Sequence, residues 1–342
     1  MNSTRERITQ AATFGAVVGL MICASARSGR TQQTVGLEVL QVRPNFYLIA
    51  TAVSNVGVQV GPDGVVVVNA GAQDASGELL SAIQKLTKEP IRYIMNTSAD
   101  ADLVGGNRTL SKAGLRLGAL TIRTGRPPGP DDAAFIMAHE SALNRMRGLT
   151  PAIPPEAWPS ETFDDARKAL SFNGEGIEIL HLPAAHTDGD IVVFFRRSDV
   201  VVAGHIVDAT RFPVIDVARG GSIRGEIAAL NRLIQLAIPA GPYLGIPNGA
   251  IETSTAVLPG GTEVLTGRGR IYRQIDVVNY RDMVVIITDT IQHMIDQKMT
   301  LAQIKAAAPA KAWEPEFGAT TGPWTTNDFV EAVYKSLMST KR

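Results

Sequence analysis

Two carboxylates and two imidazoles in this chain are of the residue types that divalent metal ions bind. Asp100 and Asp102 lie in a polar stretch that directly follows an apolar segment. His186 begins the sequence His-Thr-Asp-Gly-Asp, and His205 ends an apolar run. Such a set can hold one divalent ion that activates water for hydrolysis, with a spare carboxylate as the general base. Where a fold brings these four residues together around such an ion, Asp100 and Asp102 are also the candidate catalytic residues.

The apolar pattern predicts the elements that would position these side chains. Residues 65–68 are apolar on both faces of a strand, residues 74–87 have helical spacing, and residues 91–95 form the next strand. This strand delivers the polar stretch at its carboxyl end, where α/β proteins bind their ligands. The strand pattern resumes at Ile177 and a helix is predicted over residues 225–238, so the second half repeats the element order of the first.

The rest of the chain is predicted to be more helical. A helix is expected around residues 133–147, and two more at residues 277–294 and 301–308. Thr300 is a candidate N-cap for the last of these, and Thr326 for a final helix. We expect these C-terminal helices to dock their apolar stripes on the body of the domain.

Residues 1–26 have the features of a secretory signal peptide. Arg5 and Arg7 precede an apolar run, residues 11–24, which ends in Ala-Ser-Ala and is too short to cross a bilayer comfortably. An uncleaved anchor is the alternative. Cys23 is the only cysteine, so cleavage would leave no disulfide, thiol nucleophile or cysteine metal ligand. These features predict export, as into a bacterial periplasm, with no other membrane association.

The composition excludes some function classes. The 342 residues carry 33 basic and 33 acidic side chains, with a formal net charge of zero and no basic stripe, so nucleic-acid binding is not expected. There is no Gly-x-Ser-x-Gly elbow of a serine hydrolase and no phosphate-binding Gly-x-x-x-x-Gly-Lys-Ser/Thr loop. A small-molecule substrate or ligand is the remaining expectation.

Five motifs, in chain order, resemble those of the metallo-β-lactamase superfamily. They are residues 61–71, 96–107, 183–190, 202–205 and 258–261. The resemblance implies an α+β fold, the four-layer αβ/βα sandwich, over residues 35–270. It also implies a C-terminal helical extension packed on that domain over residues 271–342, as in exported members.

The resemblance also assigns the superfamily's metal-ligand positions to residues of this chain, and it implies that the fold brings Asp100, Asp102, His186 and His205 together. The positions for the first zinc ion are Ser98, Asp100 and His186, those for the second are Asp102, Leu103 and Gly261, and the bridging position is His205. Only Asp102 and His186 are the residues that the motifs require. Because leucine and glycine offer no ligand atom and a neutral serine is a poor one, a conventional dinuclear zinc site is not expected.

Two hypotheses follow. The first is a metal-dependent hydrolase with a rebuilt single-metal site formed by Asp100, Asp102, His186 and His205, holding zinc, or else iron or manganese. The second is a catalytically inactive relative that binds a ligand or a partner through the remaining polar pocket. The sequence does not identify a substrate.

Other polar residues near these motifs are expected to be structural. Asp190 should fix its loop by hydrogen bonds to backbone amides. His181 alternates with apolar neighbours and should be a buried, hydrogen-bonded imidazole. His139 and His293 are expected to be ordinary surface or groove residues on helices.

Overall fold

Two β-sheets pack face to face, and helices cover the outer face of each. The structure is a computed structural model that describes residues 36–118, 129, 132–149, 152–240 and 260–339. The described residues belong to a single unit, Val35–Arg342. The predicted signal peptide and residues 258–259 of the last motif lie outside the described residues.

The first sheet contains seven strands that follow one another in chain order. They are β1 (Glu38–Arg43), β2 (Phe46–Ala50), β3 (Asn55–Gly61), β4 (Gly64–Val68), β5 (Ile91–Met95), β6 (Phe135–His139) and β7 (Glu161–Phe163). Strands β1 to β4 are antiparallel, and β4 to β7 are parallel. In β4, Val66 and Val68 face the second sheet while Val65 and Val67 face the outer helices. This confirms that the strand is buried on both faces.

The second sheet contains five strands in the order β12-β11-β10-β9-β8. They are β8 (Arg167–Phe172), β9 (Glu175–His181), β10 (Ile191–Phe195), β11 (Val200–Asp208) and β12 (Glu263–Arg268). Only the β11–β12 pair is parallel. Between the sheets the side chains interdigitate, and the rings of Phe46 and Phe195 meet edge to face with centroids 4.7 Å apart.

The helices form the two outer layers. They are α1 (Ser76–Leu86), α2 (Ala101–Val104), α3 (Asn107–Ala113), α4 (Glu140–Arg147), α5 (Ile223–Leu236), α6 (Gln274–Asp296), α7 (Leu301–Ala307), α8 (Glu314–Phe317) and α9 (Thr326–Ser339). Leu79 of α1 and Leu110 of α3 pack on the first sheet, and α5, α6 and α9 pack on the second. This is the predicted four-layer αβ/βα arrangement. No helix of the described residues is long and apolar enough to span a membrane.

The C-terminal helices share one apolar core with the second sheet. The rings of Phe212 and Phe329 stack with centroids 4.9 Å apart, and Tyr280 meets Phe317 edge to face at 5.5 Å. Thr300 caps α7 as predicted, by accepting a hydrogen bond from the amide of Gln303.

Three sequence predictions were wrong in detail. His139, expected to be a surface or groove residue on a helix, is only 5% exposed and is the last residue of β6. The helix expected around residues 133–147 begins only at Glu140, because residues 135–139 form the strand β6. This strand is largely buried, and its apolar run suits a parallel strand covered on both faces. The N-terminus of α9 is capped by Thr325 and not by Thr326, since the Thr325 hydroxyl accepts a hydrogen bond from the amide of Asp328.

Candidate functional site

The polar loop after β5 is closed by a pair of side-chain amides. Asn96 and Asn107 exchange two hydrogen bonds, of 2.9 and 2.8 Å, and both side chains are buried. Between them, a Cβ at Gly106 would lie 2.1 Å from the carbonyl oxygen of Ala70, so only glycine lets the two segments approach. The residues that flank the candidate ligands therefore hold the loop by contacts within the chain.

Asn69, which follows β4, anchors the same loop from the neighbouring strand. Its backbone is left-handed, with φ of 68°, a conformation that asparagine tolerates better than most residues. Its side-chain oxygen accepts hydrogen bonds from the amide and the hydroxyl of Thr97, at 3.0 and 2.9 Å. The role of Asn69 in this structure is to hold the loop backbone.

Asp100 is surrounded by hydrogen-bond donors. Its Oδ2 accepts from the hydroxyl of Ser98 at 2.6 Å and from Nε2 of His186 at 2.8 Å. Its Oδ1 accepts from Nη1 of Arg219 at 3.0 Å, and Nε of Arg219 donates to Asp216 at 2.7 Å. Burial would raise the pKa of Asp100, but the charge and hydrogen bond of His186, followed by the charges of His205 and Arg219, outweigh it and hold that pKa well below its usual value. Asp100 is therefore an ionised, fully paired carboxylate.

His186 has hydrogen-bond acceptors on both ring nitrogens. Nδ1 lies 2.6 Å from the carbonyl oxygen of Val214, and Nε2 lies 2.8 Å from the carboxylate of Asp100. Neither partner can donate to the ring, so both nitrogens carry protons and the ring is an imidazolium. Burial alone would lower the pKa of His186, but Asp100 raises it to about 10.

A second, similar cluster forms around Asp102. Its Oδ1 accepts from Nε2 of His205 at 3.1 Å, and its Oδ2 lies 3.6 Å from Nη2 of Arg268. Arg268 is held by a 2.8 Å hydrogen bond from Nε to the carbonyl oxygen of Val53. Burial would raise the pKa of Asp102, but the hydrogen bond from His205 lowers it overall.

The two clusters lie side by side, as the sequence predicted for these four residues. The ring centroids of His186 and His205 are 5.6 Å apart, with the planes at 75°. The side chains of Asp102, Arg219 and Arg268 are 24%, 29% and 30% exposed, so solvent reaches both clusters. The site is a partly exposed set of ion pairs with both signs of charge.

The residues at the remaining ligand positions have other partners. Leu103 is fully buried in an apolar cluster with Ala142 and Met146 of α4. The carbonyl oxygen of Gly261 accepts a 2.9 Å hydrogen bond from Nη2 of Arg43. Neither residue presents a ligand atom to the clusters around Asp100 and Asp102.

Comparison with known proteins identifies the fold that this site belongs to. The model of the metallo-beta-lactamase superfamily matches residues 50–240, more than half of the chain. The chain belongs to the metallo-β-lactamase superfamily. Comparison with curated proteins finds no match.

Solved structures from the superfamily share the fold at low sequence identity. A metallo-beta-lactamase from Pontibacter korlensis has a TM-score of 0.52 at 16% identity, over 72% of this chain and 98% of that chain. The inverting sec-alkylsulfatase Pisa1 from Pseudomonas sp. has a TM-score of 0.57 at 11% identity, over 87% of this chain and 50% of that chain. DIM-1 metallo-beta-lactamase has a TM-score of 0.50 at 14% identity, over 73% and 97%. At such identities the similarity shows the fold alone.

The side chains at the superfamily's metal positions do not fit a pair of metal ions. The Ser98 hydroxyl donates to Asp100, Leu103 is part of the core, and Nε2 of His186 lies 2.8 Å from the carboxylate of Asp100. In the part of the chain that the structure describes, no group of three or more His, Cys, Asp or Glu side chains is arranged to hold a metal ion. The single-metal site at Asp100, Asp102, His186 and His205 stays a prediction.

Two site residues were missed by the sequence reasoning. Arg219 is the last residue of a 3₁₀ turn, Val217–Arg219, and Arg268 is the last residue of β12, so both are far along the chain from the aspartates that they contact. No superfamily motif points to them, and single arginines carry no spacing signal. Asp190 behaves as predicted, since its carboxylate accepts from the amide and hydroxyl of Thr187 at 2.6 and 2.8 Å.

Proposed function

We propose that this protein is a metallo-β-lactamase-fold binding protein that does not perform metal-dependent hydrolysis. In this proposal the polar site binds a small polar ligand or a partner, and its charges are balanced within the chain. Export from the cytoplasm, inferred from residues 1–26, is part of the same proposal.

One observation carries the proposal: Asp100 is bound on both oxygens by cations of the chain. His186 and Arg219 contact its two oxygens at 2.8 and 3.0 Å. A metal ion at this position would have to displace the proton on Nε2 of His186 and compete with a guanidinium. The loss of this proton and of the Arg219 contact both oppose metal binding. At three of the superfamily's other ligand positions, Ser98, Leu103 and Gly261, no strong ligand is present to compensate.

The exposed groups of the site indicate what kind of ligand would suit it. Asp102 and Arg268 are partly exposed and only 3.6 Å apart, so a ligand with both donors and acceptors can exchange hydrogen bonds with them. A purely apolar ligand would bury these charges without partners, which costs free energy. The site therefore favours a polar molecule.

A single-metal hydrolase is the second candidate. It is favoured by the closeness of His186 and His205, whose ring centroids are 5.6 Å apart, and by the two aspartates beside them. All four are ligand types, and two of them, Asp100 and His205, replace other ligand types of the superfamily. This candidate requires Arg219 to leave Asp100.

An activity screen under metal loading separates the candidates. The purified protein would be incubated with zinc, manganese or iron(II) and assayed against a β-lactam, a lactone, a thioester, a phosphoester and a sulfate ester. We expect no hydrolysis above the background of the His186→Ala, His205→Ala double variant with any metal.

Activity that a chelator abolishes, and that the double variant lacks, would overturn the proposal in favour of the hydrolase. The Glu178→Gln variant is the matched control, because Glu178 lies in the second sheet and pairs with Arg167 and Arg196, whose side chains are mostly exposed. Its behaviour should equal that of the parent protein in every assay.

A further inference from the structure

His139 and His181 form a stacked pair that the site chemistry does not use. Their ring centroids are 3.6 Å apart and the planes differ by 12°, so the rings lie nearly face to face. His139 is 5% exposed, and the ring of Phe163 meets it edge to face at 5.4 Å. Two imidazoles in this arrangement cannot both carry a positive charge without strong repulsion.

His139 is also the N-cap of α4. Its Nδ1 accepts a 3.2 Å hydrogen bond from the backbone amide of Ser141. The ring proton is therefore on Nε2, which is buried without a well-formed hydrogen bond near the backbone of Asp164. A proton added at Nδ1 would remove the acceptor and put a positive charge at the positive end of the helix dipole.

Helix α4 supports both loops of the candidate site. Its buried residues Ala142 and Met146 pack with Leu103 in the apolar cluster under the loop after β5. Its Arg145 binds both carboxylate oxygens of Asp188, at 3.1 and 2.6 Å, in the loop that carries His186. A change at the start of α4 therefore reaches the loops that hold Asp100 and His186.

The charged and titratable groups around His139 come from four elements. They are His181 on β9, Glu140 and Arg145 on α4, Asp164 after β7, and Asp188 in the loop after β9. Arg145 and Asp188 neutralise each other, and His181 donates from Nε2 to the carbonyl oxygen of Asp188 at 2.9 Å. Burial and the neighbouring His181 lower the pKa of His139, while Asp164 and Glu140 act weakly in the opposite direction.

We propose that His139 is an acid-sensitive latch, whose protonation breaks the cap of α4 and the histidine stack and so loosens the two loops of the site. The helix cap and the histidine stack are intact at pH values above the ordinary histidine pKa of 6.5, because the folded state binds the proton on His139 more weakly than the unfolded state does. Both weaken as the pH falls below that value. The inference does not depend on whether the site binds a metal or a ligand.

Hydrogen exchange of the full-length protein, followed by mass spectrometry at pH 7.5 and 5.0, tests the latch. After correction for intrinsic exchange rates, we expect the protection of α4 to fall by about three- to thirtyfold at pH 5.0, as for the loss of a helix cap. The decrease should exceed that in α5, which serves as the internal reference. His139→Asn is the matched variant, because asparagine can cap a helix without titrating.

In the His139→Asn variant the additional loss of protection in α4 at pH 5.0 should disappear. If this variant does not fold, His181→Gln replaces it. Because the imidazole of His181 no longer opposes protonation of His139, the loss of protection in α4 should then begin at a higher pH. Equal protection of α4 at both pH values in the parent protein would overturn the proposal. So would an undiminished loss in the His139→Asn variant.

Discussion

At the scale of single residues, a lost metal ligand has different consequences at different positions. At position 100 an aspartate replaces the superfamily's ligand and its carboxylate binds cations of the chain, whereas at Leu103 the side chain is part of the apolar core. A change back to histidine at Leu103 would therefore not simply restore a ligand. It would place a polar ring among Ala142, Met146 and their neighbours.

We predict that Leu103→His lowers the free energy of unfolding by about 2–4 kcal/mol, because an imidazole is buried in an apolar cluster. Urea denaturation would measure this loss. The Leu103→Met control keeps the volume and the apolar character, so it should cost less than about 1.5 kcal/mol. A Leu103→His protein that kept its stability and gained one equivalent of zinc would contradict this account.

Glu175 is a buried carboxylate that connects the sheets. It accepts hydrogen bonds from the side chains of Gln59 on β3, Ser198 and Asn45, and from the backbone amides of Arg197 and Ser198. A neutral glutamine would turn an amide group toward some of these donors and leave them unpaired.

We predict that Glu175→Gln lowers the free energy of unfolding by about 3 kcal/mol. The control is Glu178→Gln, three positions along the same strand. Glu178 pairs with Arg167 and Arg196, whose side chains are 56% and 62% exposed, so its loss should cost at most about 1 kcal/mol. Equal losses in the two variants, measured by urea denaturation, would show that the network around Glu175 contributes little.

The position of the two histidines near the two aspartates could be predicted from the sequence, because five motifs in order identified the fold. The arginine partners could not be predicted. Arg219 and Asp100 are separated by 119 positions, and only the folded chain brings them within 3.0 Å. Leu103 was recognised as a lost ligand, but its burial against α4 depends on packing that no local pattern reveals.

At the scale of elements, the sequence predicted the presence of most helices and strands better than the residues at which they begin and end. The strand β6 and the helix α4 meet at His139, and the sequence favoured one helix through both. Apolar residues in a short run fit a buried strand and a helix equally well. The parallel pairing of β6 with β5 and β7 decides the outcome, and it is a tertiary interaction.

The junction of α7 with α9 is held by a surface ion pair. Glu331 of α9 accepts from Lys305 of α7 at 2.5 Å and from Lys335 at 2.7 Å. The two ammonium groups lower the pKa of Glu331 to about 2. Because the folded pKa is below the unfolded one, this stabilisation is present above the ordinary pKa of 4.5 and is lost as the pH falls toward 2.

We predict that Glu331→Gln costs less than about 1 kcal/mol at pH 7, because the pair is close to the surface. The difference from the parent protein should shrink below pH 4.5 and should also shrink in high salt. Urea denaturation at several pH values and salt concentrations would measure both trends. A constant difference at all pH values would mean that Glu331 acts through packing and not through its charge.

At the scale of the whole molecule, contacts between residues of the chain hold both the loop after β5 and the core. The two asparagines of the loop after β5 bond to each other, and the core between the sheets is continuous from Phe46 to Phe195. The superfamily's fold is thus retained, and the negative charges of Asp100 and Asp102 in its site are balanced by His186, Arg219 and Arg268. These contacts agree with the proposal above that the protein folds and binds its ligand independently of metal ions.

The metal content of the purified full-length protein tests this central claim most directly. Inductively coupled plasma mass spectrometry would be applied before and after incubation with zinc, iron(II) and manganese, beside the His186→Ala and His205→Ala variants. The account predicts no stoichiometric metal in any sample. About one equivalent of metal in the parent protein, absent from both variants, would contradict it and establish the rebuilt single-metal site.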